Sequence, residues 1–521
     1  MKGNRLLAAY AALNAILYSA LLPLWEGFDE PFHFAYVQQL ANGQGLPDAR
    51  TALLSKEVAA SLRIAPASAS VKNNVPGIVT YAEFFSWPAA RREQARQALG
   101  RIPREYRWQN SAAHNYEAQH PPLAYLLLAV PERLLAGIPL PGRVLVLRIL
   151  AALAGSWLLL AGGGALCAGL GLEEPYRSVA LFAVLSSQMT WATLAHVAND
   201  WLAVPLAVWT LVFTIRCAAA PTTGNVVRVS ILLAGGLLTK AYFLALGPLA
   251  LGICAVRAGG RRLLWHVAIV AAVAAPWYAR NFWLYGAVTG MQETRAGISA
   301  GTVLRGAPRL PWPKIALDSA RSALWTGNNT FRAFSTVTLD LVLAVCAAAF
   351  LWWVFGRHKT AERVAGLYCA SFLLALAYAG ALANVSSSGV TSTPAPWYTQ
   401  VVVTPLMVLA LAGAARGRRT GAALAAAIAL LFGYVLAATY VLRLIPLYAG
   451  FEGRASLSAI LPLYSSRFGE LSARLGAAAL GPAWLIFGLT AAVLAMVTVL
   501  EVRMVGGMVT VARRKRLPHS V

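Results

Sequence analysis

Charge is scarce in this chain: only 12% of its 521 residues are Asp, Glu, Lys or Arg, against about 25% in an ordinary soluble domain. Acids are the scarcer kind, 20 against 44 Lys and Arg. Cysteine is nearly missing. Cys167, Cys217, Cys254, Cys346 and Cys369 all fall in or beside apolar runs without C-x-x-C spacing, so neither a disulfide framework nor a zinc knuckle is indicated. No G-x-x-x-x-G-K-[ST] loop occurs, so energy for any work has to come from a substrate or an ion gradient. Repeats at solenoid periods and low-complexity tracts beyond an Ala/Leu bias are also lacking.

What is abundant is apolar sequence, 58% of the chain, with a mean hydropathy of +0.60. Several runs reach the roughly 20 residues needed to cross a bilayer, where a helix satisfies its own backbone. The fold class expected is an all-α integral membrane protein with about 11 to 13 transmembrane helices. The net charge of +24 does not indicate nucleic acid, because the basic residues are not gathered on a reading module. They form short clusters between apolar runs, such as Arg257 with Arg261 and Arg262, Arg357 to Lys359, and Arg416 with Arg418 and Arg419, the pattern of cytoplasmic loops. The first run follows Lys2 and Arg5 but no clean A-x-A-like cleavage site, and reads as a retained helix.

These signals divide the chain into a first helix (1–24), an external loop with short surface helices (25–119), a transmembrane core (120–282), an external loop (283–335), further helices (336–443), a third external loop (444–480), and a last helix with a basic cytoplasmic tail (481–521). Between 120 and 256 two arrangements fit. In one, 120–136 spans and 228–256 is a single helix. In the other, 120–136 lies in the interface and 228–256 is broken near Gly235, Gly236 and Lys240, which puts Arg148, the segment HVANDW and Lys240 on the side of the acidic loop. The second is preferred, because intramembrane ionisable groups usually serve one site.

Four stretches carry candidate chemistry. LWEGFDEPFHFAY (24–36) crowds Glu26, Asp29, Glu30 and His33 among aromatics. Carboxylates so placed raise one another's pKa, and one can serve as a base; Pro31 favours an extended or turn conformation at Glu30. A solvated loop start is the alternative. NYEAQHPPLAY (115–125) sets His120 before a double proline opening an apolar helix, whose free amides favour an anion; a capping or packing histidine is the alternative. WYARNFWLYG (277–286) brings Arg280, with Arg295 soon after, and arginine binds phosphate bidentately. PAPWYTQVVVTP (394–405) puts Tyr398 at a helix mouth, where aromatic anchors are also routine. His196 and Asp200 of HVANDW have metal-ligand chemistry but no third partner, and helix capping by Asn199 or Asp200 is the more ordinary account.

In their order, DEPFHFAY, QHPPLAY, PWYARN and the aromatic-Tyr pair resemble the GT-C superfamily of polytopic glycosyltransferases that use lipid-phosphate sugars. The chain is similar to the protein O-mannosyltransferases and lipid A aminoarabinose transferases, and closest to uncharacterised bacterial relatives. The resemblance implies that Asp29, with Glu30 in support, deprotonates an acceptor hydroxyl, and that His120, Tyr398 and Arg280 or Arg295 hold the carrier phosphate. His33 and Lys240 are further substrate- or phosphate-binding candidates, and Glu26, Arg148, His196 and Asp200 are possible site residues. At the late motif Trp397 stands where relatives often have Arg.

The implied activity is inverting transfer from a polyprenyl-phosphate sugar to a glycan, lipid or protein hydroxyl, at the outer face of the cytoplasmic membrane. The sequence requires no cofactor and leaves a divalent metal open. Membrane lipids are expected partners and nucleic acid is not. A lipid-linked glycan transporter or flippase is the alternative, though paired broken helices in internal repeats are lacking. A noncatalytic assembly subunit would not need the DE pair.

Overall fold

The computed structural model describes residues 2–67, 75, 77–292, 296–326, 334–451 and 456–514. Arg295 and the end of the basic tail lie outside them. Among the described residues eight helices are long and apolar enough to cross a membrane, and four shorter apolar helices accompany them. The protein is a multi-pass membrane protein. Asp200–Ala219 and Pro396–Arg416 are the most enclosed of the eight, whereas Gly260–Tyr285 and Thr336–Val354 turn most of their apolar surface outward. Outward apolar surface on that scale needs lipid to cover it.

Helix α1 (Lys2–Leu21) leads into a corner at 22–29, from which α2 (Glu30–Ala41) departs. Pro31 sits in the first turn of α2, so it starts a helix rather than an extended segment. Proline's fixed φ suits that position, and its missing N–H is not required there. Ten of the twelve residues of α2 are buried, so the first helix of the long loop is a core element and not a surface one. A two-stranded antiparallel sheet, β1 (Leu53–Ser55) with β2 (Asn110–His114), pairs Leu53 with His114 and Ser55 with Asn110. It is the exception in an otherwise helical chain.

The region from 120 to 256 contains α3 (Leu123–Leu134), α4 (Leu140–Leu170), α5 (Asp200–Ala219), α6 (Thr223–Leu237) and α7 (Phe243–Ala258). The apolar run 228–256 is therefore interrupted between Leu237 and Phe243. Gly236 permits the break, since a Cβ there would collide with the Phe243 ring. The Leu123 N–H at the start of α3 donates to the Leu238 carbonyl at 2.9 Å, so one helix start satisfies the carbonyl that the break exposes. Against α4, α5 packs closely: a Cβ on Gly155 would lie 2.7 Å from the Trp201 carbonyl oxygen, the small-residue contact that membrane helices use in place of a hydrophobic drive.

Further elements are α8 (Gly260–Tyr285), α9 (Trp312–Leu324), α10 (Thr360–Ser386) and α11 (Gln400–Arg416), the last preceded by a 3-10 turn at Pro396–Thr399. Arg416 at the end of α11 pairs with Glu362 at the start of α10. That basic end lies at the opposite end of α11 from Tyr398.

Candidate active site

Three acids lie at the α1–α2 corner, and the fold gives them different surroundings. Glu26 is fully buried and does not line the cavity described below. Glu30 is fully buried too, its Oε1 accepting from Arg148 Nε at 2.7 Å and from the Val197 N–H at 3.0 Å while Oε2 pairs with Arg148 Nη2. Arg148 also donates to the Leu22 and Pro23 carbonyls at 3.1 and 2.9 Å. Burial alone would raise the Glu30 carboxyl, and the Arg148 guanidinium overrides it and holds the group below its ordinary range. A carboxylate so occupied is a fastener, and the supporting base role expected for Glu30 has no geometry behind it. Arg148 likewise fastens the corner.

Asp29 differs. It is the N-cap residue of α2 in the left-handed region (φ 54°, ψ 16°), a conformation that Asp and Asn tolerate better than most side chains. Its side chain faces a cavity of about 180 Å³ and accepts the Tyr116 hydroxyl at 2.6 Å. Burial and the nearby Glu117 charge raise its pKa to about 6, against the pull of the Tyr116 hydrogen bond, His120 and Lys240.

The same cavity collects His33, Glu117, His120, His196, Asp200, Lys240, Trp397 and Tyr398. His120 Nε2 stands 2.7 Å from Glu117 Oε2, and His33 Nδ1 stands 3.5 Å from that oxygen and 2.8 Å from the Tyr125 hydroxyl. Burial lowers the His33 pKa to about 3 against the opposing pull of Glu117, and the facing histidines hold the Glu117 carboxyl down although burial works the other way. His120 was expected to receive an anion beside the free amides of a helix start. The first of those amides is engaged by Leu238, and the histidine partners Glu117 through Nε2, leaving Nδ1 without a protein partner.

Lys240, in the helix break, places Nζ 2.7 Å from both oxygens of Asp200, which also accepts the Tyr242 hydroxyl at 3.2 Å. Asp200 heads α5 by this ion pair, and Asn199 makes no side-chain cap, so the capping account does not hold. Lys240 also lies 5.2 Å from the Tyr398 ring centre. Phe28 and Trp397 stack at 4.6 Å as an apolar wall, and the Phe28 ring meets His196 edge-on. His196 is buried with Nδ1 lacking a protein partner, and burial lowers its pKa.

Arg280 is not part of this lining. Its Nη2 donates to the Pro47 carbonyl at 2.8 Å, and its guanidinium lies 5.3 Å from the Trp277 ring centre. Tyr116 and Glu117 were not singled out from the sequence, although they belong to the quoted NYEAQH stretch. Asn115 Oδ1 accepts the Glu117 N–H at 3.2 Å, and an Asn at a turn before two prolines is the local signal that this segment folds back. Among the described residues no group of three or more His, Cys, Asp or Glu stands together as a metal site.

The arrangement offers a poised carboxylate, a lysine, three histidines and an aromatic wall within one pocket at the loop end of the bundle. No family model and no curated protein sequence matches the chain. Among solved structures, it is similar to the crystal structure of ArnT from Cupriavidus metallidurans bound to undecaprenyl phosphate, with 14% identity, 99% of this chain and 81% of that chain covered, and a TM-score of 0.45. For the apo state of ArnT the figures are 15%, 92%, 75% and 0.40.

Proposed function

We propose that the protein is an inverting glycosyltransferase that moves a sugar from a polyprenyl-phosphate donor to an acceptor hydroxyl. The observation that carries this reading is Asp29, a carboxylate with a pKa near 6 opening onto the cavity that also holds Lys240 and His120. A base acts best when its pKa lies close to the working pH. In the reaction Asp29 takes the acceptor O–H proton, the acceptor oxygen bonds to the anomeric carbon, and the bond from that carbon to the phosphate oxygen breaks with its electrons going to the phosphate. Lys240, His120 and the Tyr398 hydroxyl answer the charge that grows on that phosphate. Single displacement inverts the anomeric centre.

A polyprenyl carrier needs an apolar path beside this polar pocket. An apolar cavity of about 340 Å³ lies between α9, α10 and α11. Thr399 lines that cavity and its chain neighbour Tyr398 lines the polar one, so carrier tail and phosphate would meet at the turn before α11. Among the described residues the eight long apolar helices and the four shorter ones would make twelve passes, and the positive-inside pattern supports a cavity that faces the exterior or periplasm. Release of polyprenyl phosphate by purified wild-type protein given a polyprenyl-phosphate sugar and an envelope glycan fraction tests the reading. Equal release by Asp29→Asn overturns it.

A further inference from the structure

Helix α2 has a second polar cavity on its other face. At helical spacing, Ala35, Gln38 and Gln39 point away from His33, and they line a space of about 280 Å³ closed by the sheet β1–β2. Its polar lining consists mainly of Gln38, Gln39, Gln44, Thr51, Ser55 and Asn110. The two charged residues are already neutralised. Asp48 is paired by Arg50 at 2.7 Å, and Arg107 faces Glu132 at 3.5 Å and donates to Asn42 Oδ1 at 3.1 Å.

Two buried atoms on this wall lack protein partners. Gln38 and Arg107 are 1% and 3% exposed; Gln38 Nε2 donates to Glu57 at 2.6 Å, yet Gln38 Oε1 and Arg107 Nη1 are unmatched. Buried polar atoms find partners in the great majority of proteins. An acceptor and a donor on two residues of one lining, in a pocket of amides and hydroxyls whose charges are paired, suit a ligand whose groups both give and take hydrogen bonds. Neutral sugar hydroxyls do so. An anion would find no free cation there, and an apolar ligand would leave both atoms unmatched.

The two cavities share two walls. Helix α2 carries Asp29 and His33 on one and Gln38 on the other, with Asp29 and Gln38 about 13 Å apart along the axis at 1.5 Å per residue. The 110–120 segment carries Asn110 on one and Tyr116, Glu117 and His120 on the other. We propose that this second cavity is a binding subsite for a neutral saccharide. It would hold the hydroxyl-rich body of the acceptor while the reacting hydroxyl lies at Asp29. Only the word acceptor rests on the glycosyltransferase reading, since the binding chemistry stands without it.

The test uses the full chain purified in detergent, applied to an array of neutral oligosaccharides. Wild type is expected to retain a set of neutral glycans. Gln39→Ala with Asn110→Ala, at partly or fully exposed positions, is expected to lower that binding about tenfold, two hydrogen bonds' worth. Thr51→Trp, at the exposed rim, is expected to abolish it by blocking entrance. Thermal melting of each variant checks that the fold is kept. Retention of no neutral glycan by the folded wild type, or equal retention by Thr51→Trp, overturns the subsite and leaves the Asp29 chemistry standing. Glycan binding lost in Thr51→Trp, in a protein that releases no polyprenyl phosphate, supports the subsite and removes the transferase reading.

Discussion

Arg148 occupies both carboxylate oxygens of Glu30, and this one ion pair separates a fastening acid from the neighbouring Asp29, whose carboxylate faces the cavity. Asp29 and Glu30 differ by one methylene and one position, yet one is pinned below its ordinary range and the other raised to about 6. Glu30→Gln is therefore expected to lower stability, with a cost of about 3–5 kcal/mol for breaking a buried ion pair. Asp29→Asn is expected to fold normally and lose two to four orders of magnitude of turnover, the range of about 10² to 10⁴ for general-base removal. Thermal melting and turnover per folded molecule separate the two effects.

Asp29→Asn should also melt higher than wild type at pH 7 to 8. The folded state raises the Asp29 pKa from its ordinary 3.8 to about 6, so it prefers the proton. The associated stability is full below about pH 4 and is lost as pH rises through 6. An amide removes that ionisation cost, up to about 3 kcal/mol, and Asn accepts the left-handed backbone. A lower melting temperature for Asp29→Asn would count against the raised pKa.

In the pH dependence of kcat/KM, activity should rise through about pH 6 as Asp29 loses its proton. Tyr116→Phe removes a hydrogen bond that holds this carboxyl down. The rising limb should move to higher pH by about one to two units, since one hydrogen bond to a charged group is worth about 1.5–3 kcal/mol, with the plateau close to that of wild type. A limb that stays in place would detach Tyr116 from the base.

Lys240→Met leaves Asp200 buried without its cation and should destabilise the protein. Adding Asp200→Leu should restore melting, because replacing both members of a buried pair is far milder than breaking it. It should not restore donor use, and KM for the polyprenyl-phosphate sugar should stay raised about tenfold or more, as loss of a charge-assisted contact implies. Donor titrations that match wild type would take Lys240 out of the phosphate site.

For orientation, a cysteine at exposed Ala98 should react with an impermeant thiol reagent on intact cells. One at exposed Thr360, beside Lys359, should react only after permeabilisation, since basic clusters stay cytoplasmic. The reverse pattern would turn the cavity inward and remove access to an outer-leaflet donor.

Much of the cavity was legible because ionisable residues are rare in apolar sequence and expensive to bury. Asp29, His33, His120, His196, Asp200, Lys240 and Tyr398 stood out for that reason, and one pocket holds them all. The division of labour between Asp29 and Glu30 was not legible, because it depends on Arg148 from another helix. Glu117 did not stand out, because only the fold sets two histidines against it. Arg280 misled because an arginine near a helix end signals phosphate only if nothing nearer accepts it, and the Pro47 carbonyl does. The break at 238–242 was readable from two glycines and a lysine, whereas the turn at Pro31 was misjudged because proline stops and starts helices by the same geometry.

That break also bears on how the protein matures. Helices α6 and α7 have 15 and 16 residues, about 22 and 24 Å at 1.5 Å per residue, and each falls short of a bilayer core of about 30 Å. Neither is a self-sufficient stop for the insertion machinery, and the carbonyl exposed between them is received by Leu123, which leaves the ribosome well before it. The N-terminal part of the chain must therefore wait in the membrane with its half of the cavity open. Because Tyr398 arrives later still, no nascent intermediate holds the complete cavity lining, and the pocket can close only after α11 has been made.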